Sequence, residues 1–236
     1  MKAVVLSDIH ANLSALTAAM SHCSCKYGDK LPIIHLGDII DYCMRPNETI
    51  VAFRPLLGRC ICNIRGNHEM AYFGFEDDRF SSPRGRAANE YTRKQLSGQS
   101  KEFIERMACG VCELNLEGYR VLCVHGDLHD VYWGKMTDVE MLSSDYQKYD
   151  FVVSGHSHVS HLKYVFDKGT CHKTIFVNPG SVGQPRNCNV NAQYAVVDFE
   201  TGGVCFECVP YDISFEQSLF TDAVHPYYCE RLSKGI

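Results

Sequence analysis

The run Ile64-Arg65-Gly66-Asn67-His68-Glu69 sets a metal-capable amide beside an ionisable imidazole, after a β-rich segment over 59–64 and before an expected helix. Four other short runs place similar groups where apolar, strand-like segments end: Ser7-Asp8-Ile9-His10, Gly37-Asp38-Ile39-Ile40-Asp41, His125-Gly126-Asp127 and Gly155-His156-Ser157-His158. Hard carboxylates with imidazoles and an amide oxygen suit divalent ions such as Mn, Fe, Co, Ni or Zn, and no thiolate lies within these runs to demand a softer ion. Asp8, His10, Asp38, Asn67, His125, His156 and His158 suffice for two ions sharing one bridging carboxylate. A metal pair about 3.5–4 Å apart suits in-line displacement at phosphorus, because it activates the attacking water and stabilises charge on the phosphoryl oxygens. The chemistry expected is therefore phosphoester hydrolysis.

The surrounding pattern explains how such groups could converge. A strand over 2–6 leads into the Asp8 loop and then a helix opening at Asn12, with apolar Leu13, Leu16 and Met20. A continuous apolar strand over 31–36, of the kind covered on both faces, ends at Gly37-Asp38, and a helix over about 46–57 starts on Pro46. The segment 69–108 is polar and predicts a helical insertion beside the site, with one helix over 87–107. Strands over 111–116 and 119–124 flank Glu117-Gly118, a hairpin signature, and the second runs into His125. A helix over 137–149 is expected before the strand 151–154 that delivers His156, and the rest reads as β-rich, with strands over 162–166, 174–177, 193–199 and 204–209. Helix-linked strands followed by antiparallel ones predict two packed mixed sheets with helices outside.

At 236 residues, one domain over 1–236 can bury a large core. Hydrophobic residues at 45% and charged residues at 22% exclude disorder as the default, and a net charge of −5 gives no reason to expect a standing nucleic-acid partner. The apolar run Ala3-Val4-Val5-Leu6 is too short for a signal-peptide core and no run could span a bilayer, so no membrane association and a cytoplasmic location are expected. Thirteen cysteines spread along the whole chain, an odd count, predict buried free thiols rather than a disulfide framework. Cys109-x-x-Cys112 and Cys205-x-x-Cys208 have zinc-like spacing, but the second pair lies on an amphipathic strand and should point to opposite faces.

The ordered set Asp8-x-His10, Gly37-Asp38-x-x-Asp41, Gly66-Asn67-His68-Glu69, His125-Gly126 and Gly155-His156-x-His158 resembles the calcineurin-like metallophosphoesterases. Asn178-Pro179-Gly180-Ser181-Val182-Gly183-Gln184-Pro185-Arg186 and Asn89-Glu90-Tyr91-Thr92-x-x-Gln95-Leu96-Ser97 look like the small prokaryotic phosphodiesterase branch. The resemblance covers nearly the whole chain. It implies an α/β fold, a four-layer αββα sandwich of two mixed β-sheets flanked by helices. It implies one metal held by Asp8, His10, Asp38 and His158 and a second by Asp38, Asn67, His125 and His156. Mn or Fe is expected first, with Zn, Co, Ni or Mg as the other candidates. His68 matches the catalytic histidine and Asp41 the carboxylate that orients and charges it.

Two departures bear on substrate. Protein phosphatases of this superfamily carry arginine where this chain has Tyr42, and Asp127-Leu128-His129-Asp130 replaces the small residue and proline common in the phosphodiesterase branch. Tyr42, Arg45 and Arg186 are the candidates for contacting a small phosphoester. The resemblance points to a phosphodiesterase on small or nucleotide-like substrates, with phosphomonoesterase or protein-phosphatase-like activity as the alternative. A non-catalytic scaffold of the same superfamily lacks the catalytic histidine, which is present here as His68.

Overall fold

The computed structural model of the protein describes residues 1–167, 169 and 171–236. Ten strands fall in order: β1 (Lys2–Leu6), β2 (Ile33–His35), β3 (Cys60–Asn63), β4 (Val111–Leu116), β5 (Tyr119–Val124), β6 (Phe151–Ser154), β7 (His161–Phe166), β8 (Lys173–Asn178), β9 (Ala192–Asp198) and β10 (Gly203–Val209). Helices α1 (Leu13–Tyr27) and α2 (Pro46–Phe53) link the first three strands, and α3 (Asn67–Tyr72), α4 (Pro83–Gln95) and α5 (Gly98–Arg106) lie between β3 and β4. Two short helices, α6 (Ile213–Ser218) and α7 (Pro226–Leu232), follow β10.

The strands form two five-stranded mixed sheets, ordered β10-β9-β1-β2-β3 and β4-β5-β6-β8-β7. β1, β2 and β3 run parallel, as do β5, β6 and β8, while β9, β10, β4 and β7 pair antiparallel. Alternation along each strand divides the core. Ala3, Val5, Ile34 and Val197 meet Val121, Val153 and Val177 between the sheets. Val4, Leu6 and Ile33 pack outward with Ala15, Leu16 and Ile50 from α1 and α2. The result is the expected α/β sandwich of two mixed sheets, and the parallel strands end at one edge, where loops leave with their polar residues.

Three local expectations need correction. The segment over 137–149 is not an α-helix but two 3₁₀ turns, Glu140–Leu142 and Ser144–Tyr146, which cover Leu122, Val152 and Phe176 with Met141, Tyr146 and Tyr149. Ser143 interrupts them in an extended conformation, its hydroxyl accepting from the Asp145 N–H, the local bonding by which serine competes with helix. The helix expected over 87–107 is two, because Ser97 caps a new start by accepting from Ser100 N–H at 3.2 Å. The C-terminal region is β-rich only as far as β10; α6 and α7 follow.

All thirteen cysteines are free. Burial was expected for them, yet only Cys23, Cys43, Cys62 and Cys123 are buried, and Cys205 and Cys208 are both exposed on the edge strand β10. Among the described residues no cysteine joins a group able to hold an ion.

Candidate metal centre and cavity

The loops leaving β1 and β2 are zipped together: Asp8 N–H donates to the Gly37 carbonyl at 3.1 Å, His10 N–H to Asp38 at 2.9 Å and Ala11 N–H to Ile39 at 2.8 Å. The stretch after β8 braces the first loop from the other sheet. Ser181 Oγ donates to the Asp8 carbonyl at 2.7 Å, and Gly183 N–H donates to it at 3.0 Å. Asp8, His10, Asp38, Asp41, His156 and His158 all adopt positive φ, between 51° and 70°. Such a conformation costs non-glycine residues on the order of 1 kcal/mol each, and its concentration in one place marks a site whose geometry the surrounding fold imposes.

Three residues let the loops close. Glu69, buried in the first turn of α3, accepts from the N–H groups of Gly66 and Asp38 at 2.8 Å, Ile39 at 2.9 Å and Ile40 at 3.3 Å. Gly66 lies so close to its neighbours that a Cβ would strike the Asp38 carboxylate and the His125 ring, and a Cβ at Gly155 would strike the Ser7 hydroxyl. Glu69→Ala is expected to strand these backbone donors and lower stability by about 3 kcal/mol, roughly 10 °C in melting temperature for a chain of this size. A melting temperature within about 2 °C of wild type would contradict that role.

All seven residues picked from the sequence as metal ligands converge here. His10 Nδ1–H donates to the Ile40 carbonyl at 3.0 Å and His158 Nδ1–H to the Gln184 carbonyl at 2.6 Å. Both rings therefore present an Nε2 lone pair, and these nitrogens face one another at 3.1 Å. Burial, then neighbouring His68 and His158, lowers the pKa of His10; burial and then Arg186 lower that of His158. Two neutral acceptors this close repel unless a cation joins them. Asp8 Oδ1 lies 3.2 Å from His158 Nε2, buried and without a hydrogen-bond donor.

The adjoining cluster has the same character. His125 donates through Nδ1–H to the Leu36 carbonyl at 2.7 Å, and its Nε2 lies 3.3 Å from Asp38 Oδ2 and 3.0 Å from Asn67 Oδ1. His156 Nδ1 approaches the same Asn67 oxygen at 2.9 Å. Burial would depress the His125 pKa, but Asp38 overrides it and raises it to about 9, whereas burial and then His125 lower His156 to about 3. The oxygens thus attract positive charge, and a divalent ion here would displace the His125 proton. Asp8, His10 and His158 form one group within reach of a single ion, and Asp38, His125 and His156 form another. These oxygen and nitrogen donors fit a borderline divalent metal.

His68 stands beside Asp38. Its Nδ1 is 2.6 Å from Asp41 Oδ2, its Nε2 3.0 Å from the Tyr42 hydroxyl, and Asn89 on α4 donates to Asp41 Oδ2 at 2.7 Å and to the His68 carbonyl at 3.1 Å. Burial opposes protonation of this imidazole, but Asp38 and Asp41 outweigh it and hold the pKa above its ordinary value. In the sequence Asn89 is only one residue of a resembling stretch, and its anchoring of the His68–Asp41 pair comes from α4 packing against α3.

The cluster opens into a cavity of about 420 Å³. One wall is aromatic: Phe80 packs edge-on to both His68 and Trp133, and Trp133 edge-on to His156. Tyr42 and Arg186, both picked from the sequence, line the cavity, together with Arg84, Tyr227, Tyr228 and Arg231. Arg45 does not. It is held at the start of α2 by Glu216 and by the Ser14 hydroxyl at 2.7 Å, because the unanticipated α6 brings a buried carboxylate to it. His129, four residues after His125, turns outward to Glu140 at 2.8 Å and Asp145 at 3.2 Å. Tyr228 and Arg231 escaped sequence reading because they lie on α7, whose seven residues carry little periodicity.

Comparison with known proteins agrees with this geometry. An uncharacterized protein of Methanocaldococcus jannaschii is 30% identical over 224 residues, covering 89% of this chain and 87% of its own. A metallophosphoesterase from Sphaerobacter thermophilus superposes with a TM-score of 0.78 at 27% identity over the full length of both chains. A hypothetical protein from Pyrococcus horikoshii shares the fold with a TM-score of 0.85 at 21% identity, over 100% of this chain and 98% of that one. With residues 1–202 matching the calcineurin-like phosphoesterase superfamily domain, the chain belongs to that superfamily and is a phosphoester hydrolase.

Proposed function

We propose that the protein is a dinuclear-metal phosphodiesterase acting on small or nucleotide-like esters. The observation that carries the reading is the pair of Nε2 lone pairs on His10 and His158, aimed at one another beside a carboxylate oxygen without a donor. One ion would be held by Asp8, His10, Asp38 and His158, and a second by Asp38, Asn67, His125 and His156, with Asp38 shared. When bound, such ions acidify the attacking water and neutralise charge on the phosphoryl oxygens. The protein's own part is to hold the scissile group against this cluster and manage the leaving-group proton. His68, whose pKa Asp38 and Asp41 raise against the effect of burial, offers Nε2–H at the cavity wall as the general acid.

The diester preference rests on Tyr42. Burial pushes its phenol pKa up, so it stays neutral where a guanidinium would match a dianionic monoester, and it contacts His68 directly. With Mn supplied, bis(p-nitrophenyl) phosphate is expected to be cleaved with higher kcat/KM than p-nitrophenyl phosphate, by about tenfold or more. The opposite ranking would make the enzyme a monoesterase. Restoring activity separately with Mn, Fe, Co, Ni, Zn and Mg would identify the metal, which ligand chemistry alone leaves to supply.

A further inference from the structure

Arginines that merely solubilise a surface find carboxylates or water; those facing the Tyr42 side of the cavity do neither completely. Arg231 is only 8% exposed, and its Nε donates to the main-chain oxygen of Ile236, the last residue of the sequence. Arg84 and Arg186 are half-buried, and each has a buried Nε without a hydrogen-bond partner. Among the described residues no aspartate or glutamate lies within ion-pair distance of any of the three, in contrast to Arg79 on the same cavity, which is neutralised by Asp130 and Glu76.

Their arrangement is that of a receptor. The Arg84 guanidinium sits 4.2 Å from the centre of the Tyr227 ring and the Arg231 guanidinium 5.1 Å from it. The Tyr227 ring thus orients two cations that would otherwise repel. Burial, then Arg186, lowers the pKa of Arg231, in keeping with a second guanidinium close by, and the Ile236 oxygen leaves the outward-facing part of the Arg231 guanidinium, with Arg84 and Arg186, on one side of the cavity. Arg186 is tied to the metal cluster through its backbone, N–H to the His158 carbonyl at 3.1 Å, so this side lies immediately beyond the reacting centre. Phe80 and Trp133 occupy the His156 side. The cavity thus has Phe80 and Trp133 with the paired Arg79 on one side, and on the other Arg84, Arg186 and Arg231 among Tyr42, Tyr227 and Tyr228.

We propose that Arg84, Arg186 and Arg231 form a second anion subsite, so that the preferred ester carries a phosphate group in addition to the one being cleaved. The proposal builds on the diester reading, since the scissile group itself is taken to be a monoanion beside neutral Tyr42. Planar guanidiniums favour bidentate recognition of a phosphate's oxygens, and partial desolvation in the cavity strengthens each contact. The substrate class is a nucleotide-like diester whose one arm is an aromatic group and whose other arm ends in phosphate.

Two esters with the same scissile bond and the same leaving group isolate the effect: thymidine 5′-(p-nitrophenyl phosphate), and that compound bearing an additional 3′-phosphate. The additional phosphate is expected to raise kcat/KM by about tenfold or more at low salt, and Arg84→Gln or Arg231→Gln should bring the ratio toward one. Calorimetric binding of thymidine 3′,5′-bisphosphate against thymidine 5′-phosphate should give the same ordering and the same loss, independently of turnover. Arg84, half-buried in the first turn of α4, and the buried Arg231 are both checked by melting temperatures. Equal affinity for the two nucleotides in the wild type, or a preference that survives both substitutions, overturns the subsite and leaves the arginines as ring-stacking elements. If simple monoesters outrank simple diesters while the second phosphate still helps, the diester reading falls and the subsite stands; the reverse pattern removes the subsite alone.

Discussion

Asp38→Asn should leave the purified protein with far less than the about two divalent ions per chain expected for wild type, and reduce kcat/KM on bis(p-nitrophenyl) phosphate by on the order of a thousandfold. The reason is the position of one side chain. Asp38 Oδ2 is 3.3 Å from His125 Nε2, 3.8 Å from His10 Nε2 and 3.9 Å from His68 Nε2, and Oδ1 accepts the His68 backbone N–H at 2.9 Å. The opposed imidazoles around it hold the carboxyl well below its usual range despite burial that favours protonation. Replacing one oxygen with an amide removes charge from both ligand groups at once. Metal analysis that finds one ion lost and the other retained at full occupancy would show that Asp38 is not shared.

That prediction could be framed from sequence alone because Asp38 follows a short strand that is apolar but for His35, a signal that survives without tertiary information. The hairpin over 111–124 was equally legible, since Glu117-Gly118 supplies the turn between two runs rich in β-branched and apolar residues. Other features depended on partners remote in sequence. Arg45 and Arg231 are equivalent as letters, and only Glu216 on α6 withdraws the first from the cavity while α7 presents the second. Glu69 reads as an ordinary first-turn acid until its carboxylate is seen receiving N–H groups from another loop. The segment over 137–149 has helix-like spacing of apolar residues, but the Ser143 hydroxyl and the sheet beneath impose tighter turns.

His68→Ala should discriminate between esters by their leaving groups. An alkoxide departs poorly unless protonated, whereas p-nitrophenolate needs little help, so the loss is expected to reach about a hundredfold to ten-thousandfold on alkyl esters and to be markedly smaller on nitrophenyl esters. The acid is prepared by its surroundings: Nδ1 is committed to Asp41, Asn89 fixes that carboxylate, and the nearby negative charges keep the imidazole protonated to higher pH than usual. Paired measurements on methyl p-nitrophenyl and dialkyl phosphates would decide it. An equal loss on both would mean that His68 positions the phosphate and does not transfer a proton.

The crowding around Gly66 and Gly155 bears on any attempt to move this chemistry to another scaffold. Grafting the polar side chains alone would copy the donors but not the empty volumes that let an amide, two carboxylates and four imidazoles draw together across two sheets. A saturation screen scored on turnover would rank these glycines beside the acid and the ligands, though neither possesses a side chain that could bind or transfer anything. The template to transplant therefore includes positions defined by what is missing, and a search keyed only to reactive side chains would discard them.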